Sequence, residues 1–303
     1  MKTLSENLDK QLLDLSWSLW TELGVTGVHR IHQQFLIIPE ELILLTALLG
    51  ELDPRLREEA LDWCSRHHHF ISVSRIKLLA KSFGENVVHS FSVFSATLNS
   101  ISRANWPVLT PARPLNLKPS GKSKSPRFEN PAMLLLRLRS LFGVGARADL
   151  IAFFLSQNRG DFSISDTTEI GYTKRNLADV LESFVQAGIF DLFLSRNQQR
   201  YRFAKHDEFA RILSPFPKFM PSWRQIFEVV LKLRECIRQI EKNSESTKIV
   251  EIRNTLKDIE NQLIKLNLTP PSMQANFQVY LASFSSWVLG ILPSLAKEED
   301  TEL

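Results

Sequence analysis

The chain has 303 residues, 44% of them apolar and 23% charged, which leaves room for a sizeable core and about two domains and places it among ordinary soluble globular proteins. Its two cysteines, Cys64 and Cys236, make no disulfide framework and suit a reducing cytoplasm. The formal charge of +4 is unevenly spread: residues 103–205 hold 16 Lys/Arg against 8 Asp/Glu, a net of +8, so the flanks share −4 and the middle looks toward a polyanion.

The first twenty residues carry acidic groups within a helical pattern and lack the apolar core of a signal peptide. Helical periodicity runs through residues 5–23, 39–50, 54–70, 74–84 and 85–101, with Pro39 and Pro54 at first-turn positions and Gly50 and Gly84 at stops. Residues 1–102 therefore read as a helical domain. Residues 103–130 read as a linker, rich in proline, poor in periodicity and basic around Lys118–Arg127. Its Gly121-Lys122-Ser123 is not a phosphate loop, because the first glycine of that motif would fall at Asn116 and no strand precedes it.

From Pro131 the pattern changes. Residues 131–143 and 146–157 read as helices, and a short segment at 163–170 can be capped by Ser163 or Ser165. A tight turn at Gly171-Tyr172 leads into a helix whose apolar set is Leu177, Val180, Leu181, Phe184 and Val185. Thr173 is its N-cap and Gly188 its stop. Lys174 and Arg175 occupy the first turn, where the helix dipole favours acids. A local rule broken without local compensation points to a functional site. Residues 189–195 and 200–204 then read as two short strands joined by Arg196-Asn197-Gln198-Gln199.

Beyond residue 206 the chain reads as helical again. Ile226, Val230, Leu233, Ile237 and Ile240 make one heptad-like seam, and Ile249, Ile252, Leu256, Ile259, Leu263 and Leu266 a second, as in an antiparallel hairpin or a short coiled coil with another subunit. Residues 277–296 are apolar but interrupted by Gln278, four serines and Pro293, so they read as a buried or partner-facing helix rather than a membrane span.

Residues 147–203 resemble the winged-helix DNA-binding domains of bacterial transcription regulators, in the broad MarR/GntR-like sense. The resemblance rests on "ISDTTEIGYTKRNLADVLESFVQAGIF" followed by "FLSRNQQRYRF". It implies a central winged helix-turn-helix over 131–205 with a β-hairpin wing; with the helical periodicity on either side, the chain reads as a mainly α protein with an N-terminal helical domain and a C-terminal helical hairpin within 206–303. In helix-turn-helix docking the first residues of the recognition helix meet the major groove. Ser165, Thr173, Lys174, Arg175 and Asn176 are the candidates there, since Arg pairs with guanine, Asn with adenine, and Lys neutralises phosphate. Arg196, Asn197, Gln198, Gln199, Arg200 and Arg202 are the candidates on the wing, with Tyr201 and Phe203 packing on its other face. Asp179 and Glu182 would limit contact to the first turn and a half.

Other chemistry is weakly marked. Cys64 with His67, His68 and His69 lacks a second ligand cluster, and His29 with His32 lacks a third ligand, so no metal is expected. Nor is a cofactor, and no nucleophile elbow or paired carboxylates point to an enzyme. The six tryptophans read as core or interface anchors. The expected function is sequence-specific binding of double-stranded DNA by a cytoplasmic bacterial regulator, its N-terminal or C-terminal helices serving homodimerisation or the binding of a protein partner. The alternative is a non-enzymatic protein-interaction scaffold, an antitoxin-like partner of another protein.

Overall fold

The computed structural model describes residues 3–27, 35–157, 160–217, 220–274 and 276–296. It is mainly helical, with one small antiparallel sheet of three strands among the described residues. The chain forms two compact units, residues 17–221 and residues 1–16 with 222–303. The division falls inside helix α1 (Leu4–Glu22), between Ser16 and Trp17. His29 and His32 lie outside the described residues.

In the larger unit, α2 (Pro39–Leu49) starts on a proline with Glu40 and Glu41 in its first turn, where carboxylates suit the dipole. It is buried almost all round and packs against α3 (Pro54–His67), α4 (Val73–Ser82) and α5 (Glu85–Ile101), as a helix apolar on every face must. Two buried tryptophans satisfy their indole N–H groups, Trp20 on Thr46 Oγ1 and Trp63 on the Leu23 carbonyl, both at 2.7 Å. His67 packs on the Trp63 ring, and Cys64 is buried, with its thiol pushed well up by burial. Among the described residues no His/Cys/Asp/Glu group could hold a metal ion.

Residues 103–130 have neither helix nor strand, yet they are fastened along α5 and α3. Asn99 bonds both the N–H and the carbonyl of Trp106, at 2.7 and 2.8 Å. Ser92 Oγ accepts from the N–H groups of Leu109 and Thr110, and Thr97 Oγ1 from that of Leu115. Further on, the buried Asp62 carboxylate accepts from the N–H groups of Gly121 and Ser123, at 2.8 and 3.0 Å. Lys124 N–H donates to the Gly24 carbonyl at 2.8 Å. A Cβ at Gly24 would lie 2.6 Å from the Lys124 oxygen, so only glycine lets the two backbones approach.

The chain then runs through α6 (Leu134–Phe142), α7 (Ala146–Leu155), β1 (Asp161–Phe162), α8 (Ile164–Thr167), α9 (Lys174–Gln186), β2 (Phe190–Ser195), β3 (Gln198–Phe203) and α10 (His206–Leu213). The strands lie in the order β1-β3-β2, so β3 is central, paired with β2 from Phe190↔Phe203 to Ser195↔Gln198 and with β1 at Asp161↔Arg202 and Phe162↔Tyr201. β1 extends the two strands expected from the sequence.

In the smaller unit, α11 (Trp223–Ile240) packs against α12 (Glu245–Asp258) and α13 (Glu260–Lys265), and α14 (Phe277–Ala296) follows. Ile226, Val230, Leu233, Ile237 and Ile240 are all buried, so the first seam is filled within the chain. The second seam is not one helix but two, separated at Ile259, and Ile252, Ile259 and Leu263 are its buried members. The first turns of α1 add Leu8 and Leu12 to this core and Asp9 to Arg234 and Arg238, at 2.5 and 2.8 Å. α14 turns Tyr280, Phe284, Val288 and Ile291 inward at helical spacing. No helix of the described residues is long and apolar enough to cross a membrane.

Candidate nucleic-acid interface

α9 begins as its residues dictate. Thr173 has extended backbone and its hydroxyl accepts from Asn176 N–H at 3.3 Å. Leu177, Leu181 and Phe184 are buried, fixing one face to the core, and Gly188 and Ile189 N–H groups close the helix end on Val185 and Phe184 carbonyls. Thr173, Lys174, Arg175 and Asn176 are all exposed, as are Asp179 and Glu182 farther along. The first turn contains no acidic residue, and among the described residues neither Lys174 nor Arg175 makes an ion pair. α8, capped by a reciprocal Ser163–Asp166 capping box, packs on α9 and leaves Ser165 exposed.

The start of α9 is held from below by buried charge. Gly171 is left-handed at φ +86°, and a Cβ there would lie 3.1 Å from Arg75 Nε, which itself donates to the Ile170 carbonyl at 2.5 Å. Arg75 also donates to Glu40 at 2.9 Å and, with two nitrogens, to Glu41. Arg139 bonds Glu40 at 2.6 Å and Asp149 at 2.8 and 3.0 Å. The Tyr172 hydroxyl donates to Asp149 at 3.0 Å and lies 3.3 Å from Ser72 Oγ, and burial raises its pKa. α2, α4, α6, α7 and the turn before α9 thus meet on two guanidinium groups.

The hairpin turn is shorter than the four residues read from the sequence. Arg196 and Asn197 make it alone, both left-handed at φ 50° and 60°, as a two-residue hairpin turn demands. Gln198 and Gln199 belong to β3, opposite Ser195 and Leu194. All four are exposed. Tyr201 and Phe203 are buried as expected, and Arg202 is exposed with its guanidinium 4.8 Å from the Phe193 ring. Arg200 is not a free surface cation: it pairs with the Asp161 carboxylate, donates to the Asp161 carbonyl at 2.9 Å, and has Asp166 at 3.8 Å. Leu192 and Leu194 lie on the same face as Tyr201 and Phe203, toward the hairpin tip, and are exposed there, Leu194 by 75%.

The Arg75–Ile170 and Arg200–Asp161 partnerships had no sequence signal, since they join residues 95 and 39 apart. No protein-family model matches this chain, and neither does any curated protein or solved structure.

Proposed function

We propose that residues 146–203 form a winged helix-turn-helix and that the protein is a regulator binding double-stranded DNA with sequence preference. The supporting observation is the order α7, β1, α8, α9, β2, β3 with β3 central, in which the exposed first turn of α9 holds two cations without acidic partners. A phosphate beside that turn would offset the unfavourable contact of Lys174 and Arg175 with their own helix dipole. Arg175 and Asn176 would read base edges, Lys174 a phosphate, and Arg196, Asn197 and Arg202 the backbone beside the groove. Arg200, already committed to Asp161, would shape the hairpin instead.

The test is fluorescence anisotropy with DNA from the protein's own upstream region and with scrambled DNA, across a salt series. Wild type is expected to prefer the upstream DNA. The Lys174→Ala, Arg175→Ala variant should lose that preference at an unchanged melting temperature. Its salt dependence should flatten by the one phosphate contact of Lys174, a slope change of roughly 0.9. Equal affinity of wild type and variant for the upstream DNA would sink the assignment of α9.

A protein-interaction scaffold is the second reading, favoured by the exposed Leu192 and Leu194. It predicts binding that depends on those leucines and little on salt. Two copies on half-sites about 34–36 Å apart remain part of the DNA proposal. Because the α11 seam is filled within the chain, the pairing surface would lie elsewhere. Light scattering on the complex with upstream DNA should then give two protein chains per duplex, and a single chain at saturation would remove the dimer.

A further inference from the structure

Residues 103–130 carry Arg103, Arg113, Lys118, Lys122, Lys124 and Arg127 against Glu129 alone, more net charge than the whole chain. All six cations are exposed, and among the described residues none of them makes an ion pair. A flexible tether could hold such charges too, but this segment is fastened at both ends. The α5 side chains Ser92, Thr97 and Asn99 hold residues 106–115, and Asp62, Arg66 and the Gly24 carbonyl hold residues 121–124. Burial raises the Asp62 carboxyl, but hydrogen bonds from Ser123 and Gly121 outweigh it and keep it below the ordinary carboxylate value. The clamp therefore keeps its charge and its acceptors at neutral pH.

Lys122 and Lys124 flank the buried Ser123, so both are turned to solvent by the same clamp. Cations presented on an ordered backbone lose little freedom on binding, which is where a preformed surface gains over a disordered tail. The aromatic groups of the segment face the other way: Trp106 packs against Phe91 and Phe94, and Phe128 against Phe70. A membrane-surface binder interleaves its cations with exposed apolar groups that enter the bilayer. Between Lys118 and Arg127 the charge stands without them, Val108 being the one large apolar group exposed in the segment, as contact with a phosphodiester backbone requires.

We infer that the strap formed by Lys118, Lys122, Lys124 and Arg127 is a second contact surface for DNA, binding backbone phosphates without regard to sequence. The inference rests on the DNA-binding reading of α9 and adds a division of labour to it. α9 supplies the preference between sequences, and the strap supplies affinity for any duplex.

The experiment is the same salt series on the full chain, with the variant Lys118→Ala, Lys122→Ala, Lys124→Ala, Arg127→Ala and a charge-keeping variant carrying Lys118→Arg, Lys122→Arg and Lys124→Arg. The alanine variant should weaken upstream and scrambled DNA by the same factor and leave their ratio intact. Four lost phosphate contacts would shrink the affinity change between 50 and 200 mM salt by roughly a hundredfold. The arginine variant should behave as wild type. Upstream binding and salt slope unchanged in the alanine variant would overturn the strap and leave α9 standing. Loss of preference in the alanine variant would also overturn it, by giving the strap a reading role. If wild type binds neither DNA, both proposals fall. If only binding to phosphatidylserine vesicles is lost in the alanine variant, the surface serves a membrane and the inference is wrong.

Discussion

Arg139→Met is expected to cost about 3–5 kcal/mol of stability in urea unfolding at neutral pH, the range for removing one partner of a buried ion pair. The guanidinium is fully buried and serves Glu40, Asp149 and the Phe70 carbonyl together. Methionine fills the volume but leaves two carboxylates facing each other in a medium that cannot hydrate them. Three carboxylates meet two guanidinium groups here, so one negative charge is in surplus. Burial pushes the Glu41 carboxyl up, whereas Glu40, despite equal burial, is drawn down by Arg139 and Arg75. Glu40→Gln should therefore be damaging and Glu41→Gln mild. The sign with pH follows. Glu41, raised when folded, makes stability grow as pH falls from neutrality toward its unfolded value of 4.5. Glu40, lowered when folded, contributes above 4.5 and loses that contribution below it. In Glu41→Gln the gain on mild acidification should vanish. An Arg139→Met protein as stable as wild type would show that the network is not what holds the start of α9.

Phe190→Ala should cost about 3–5 kcal/mol, the usual loss for a buried phenylalanine. Phe190 stacks on Phe203 at 4.6 Å and on Phe184 at 5.2 Å, and meets Phe154 edge-on at 4.7 Å. One ring thus ties the end of α9 to α7 and to both strands of the hairpin. Hydrogen exchange should show β2 and β3 losing protection, while α11 to α14 keep theirs. Leu194→Ala on the same strand is the control. Its side chain is exposed, and the change should stay within about 0.5 kcal/mol. If the two substitutions cost the same, the aromatic stack does not carry the hairpin.

What was legible in the sequence was local. α9 could be read from Thr173, the 177/181/184 face and Gly188, because cap, periodicity and stop are each set by residues within about four positions of one another. The α11 seam was legible for the same reason, but which surface filled it was not. Glu40 and Arg139 lie 99 residues apart and read singly as solvated charges. β1 is two residues long, too short for any alternation, and exists because β3 has a free edge to pair with. The proline-rich stretch read as a tether since its partners, Asn99 and Asp62, sit in helices whose periodicity says nothing about their polar face. The hairpin turn contracted to two residues because Asn197 tolerates a left-handed backbone, which lets Gln198 and Gln199 join the ladder.

The division of α1 has a consequence for the time course of synthesis. Residues 17–221 form one compact unit, whose chain is complete once residue 221 has left the ribosome. Leu8 and Leu12 cannot be covered then, because the helices that bury them begin at Trp223 and end at Ala296. At about 5–20 residues per second, the early turns of α1 wait roughly 15–60 s with their apolar face unclaimed. During that interval they form a segment that a chaperone, or another nascent copy, can reach.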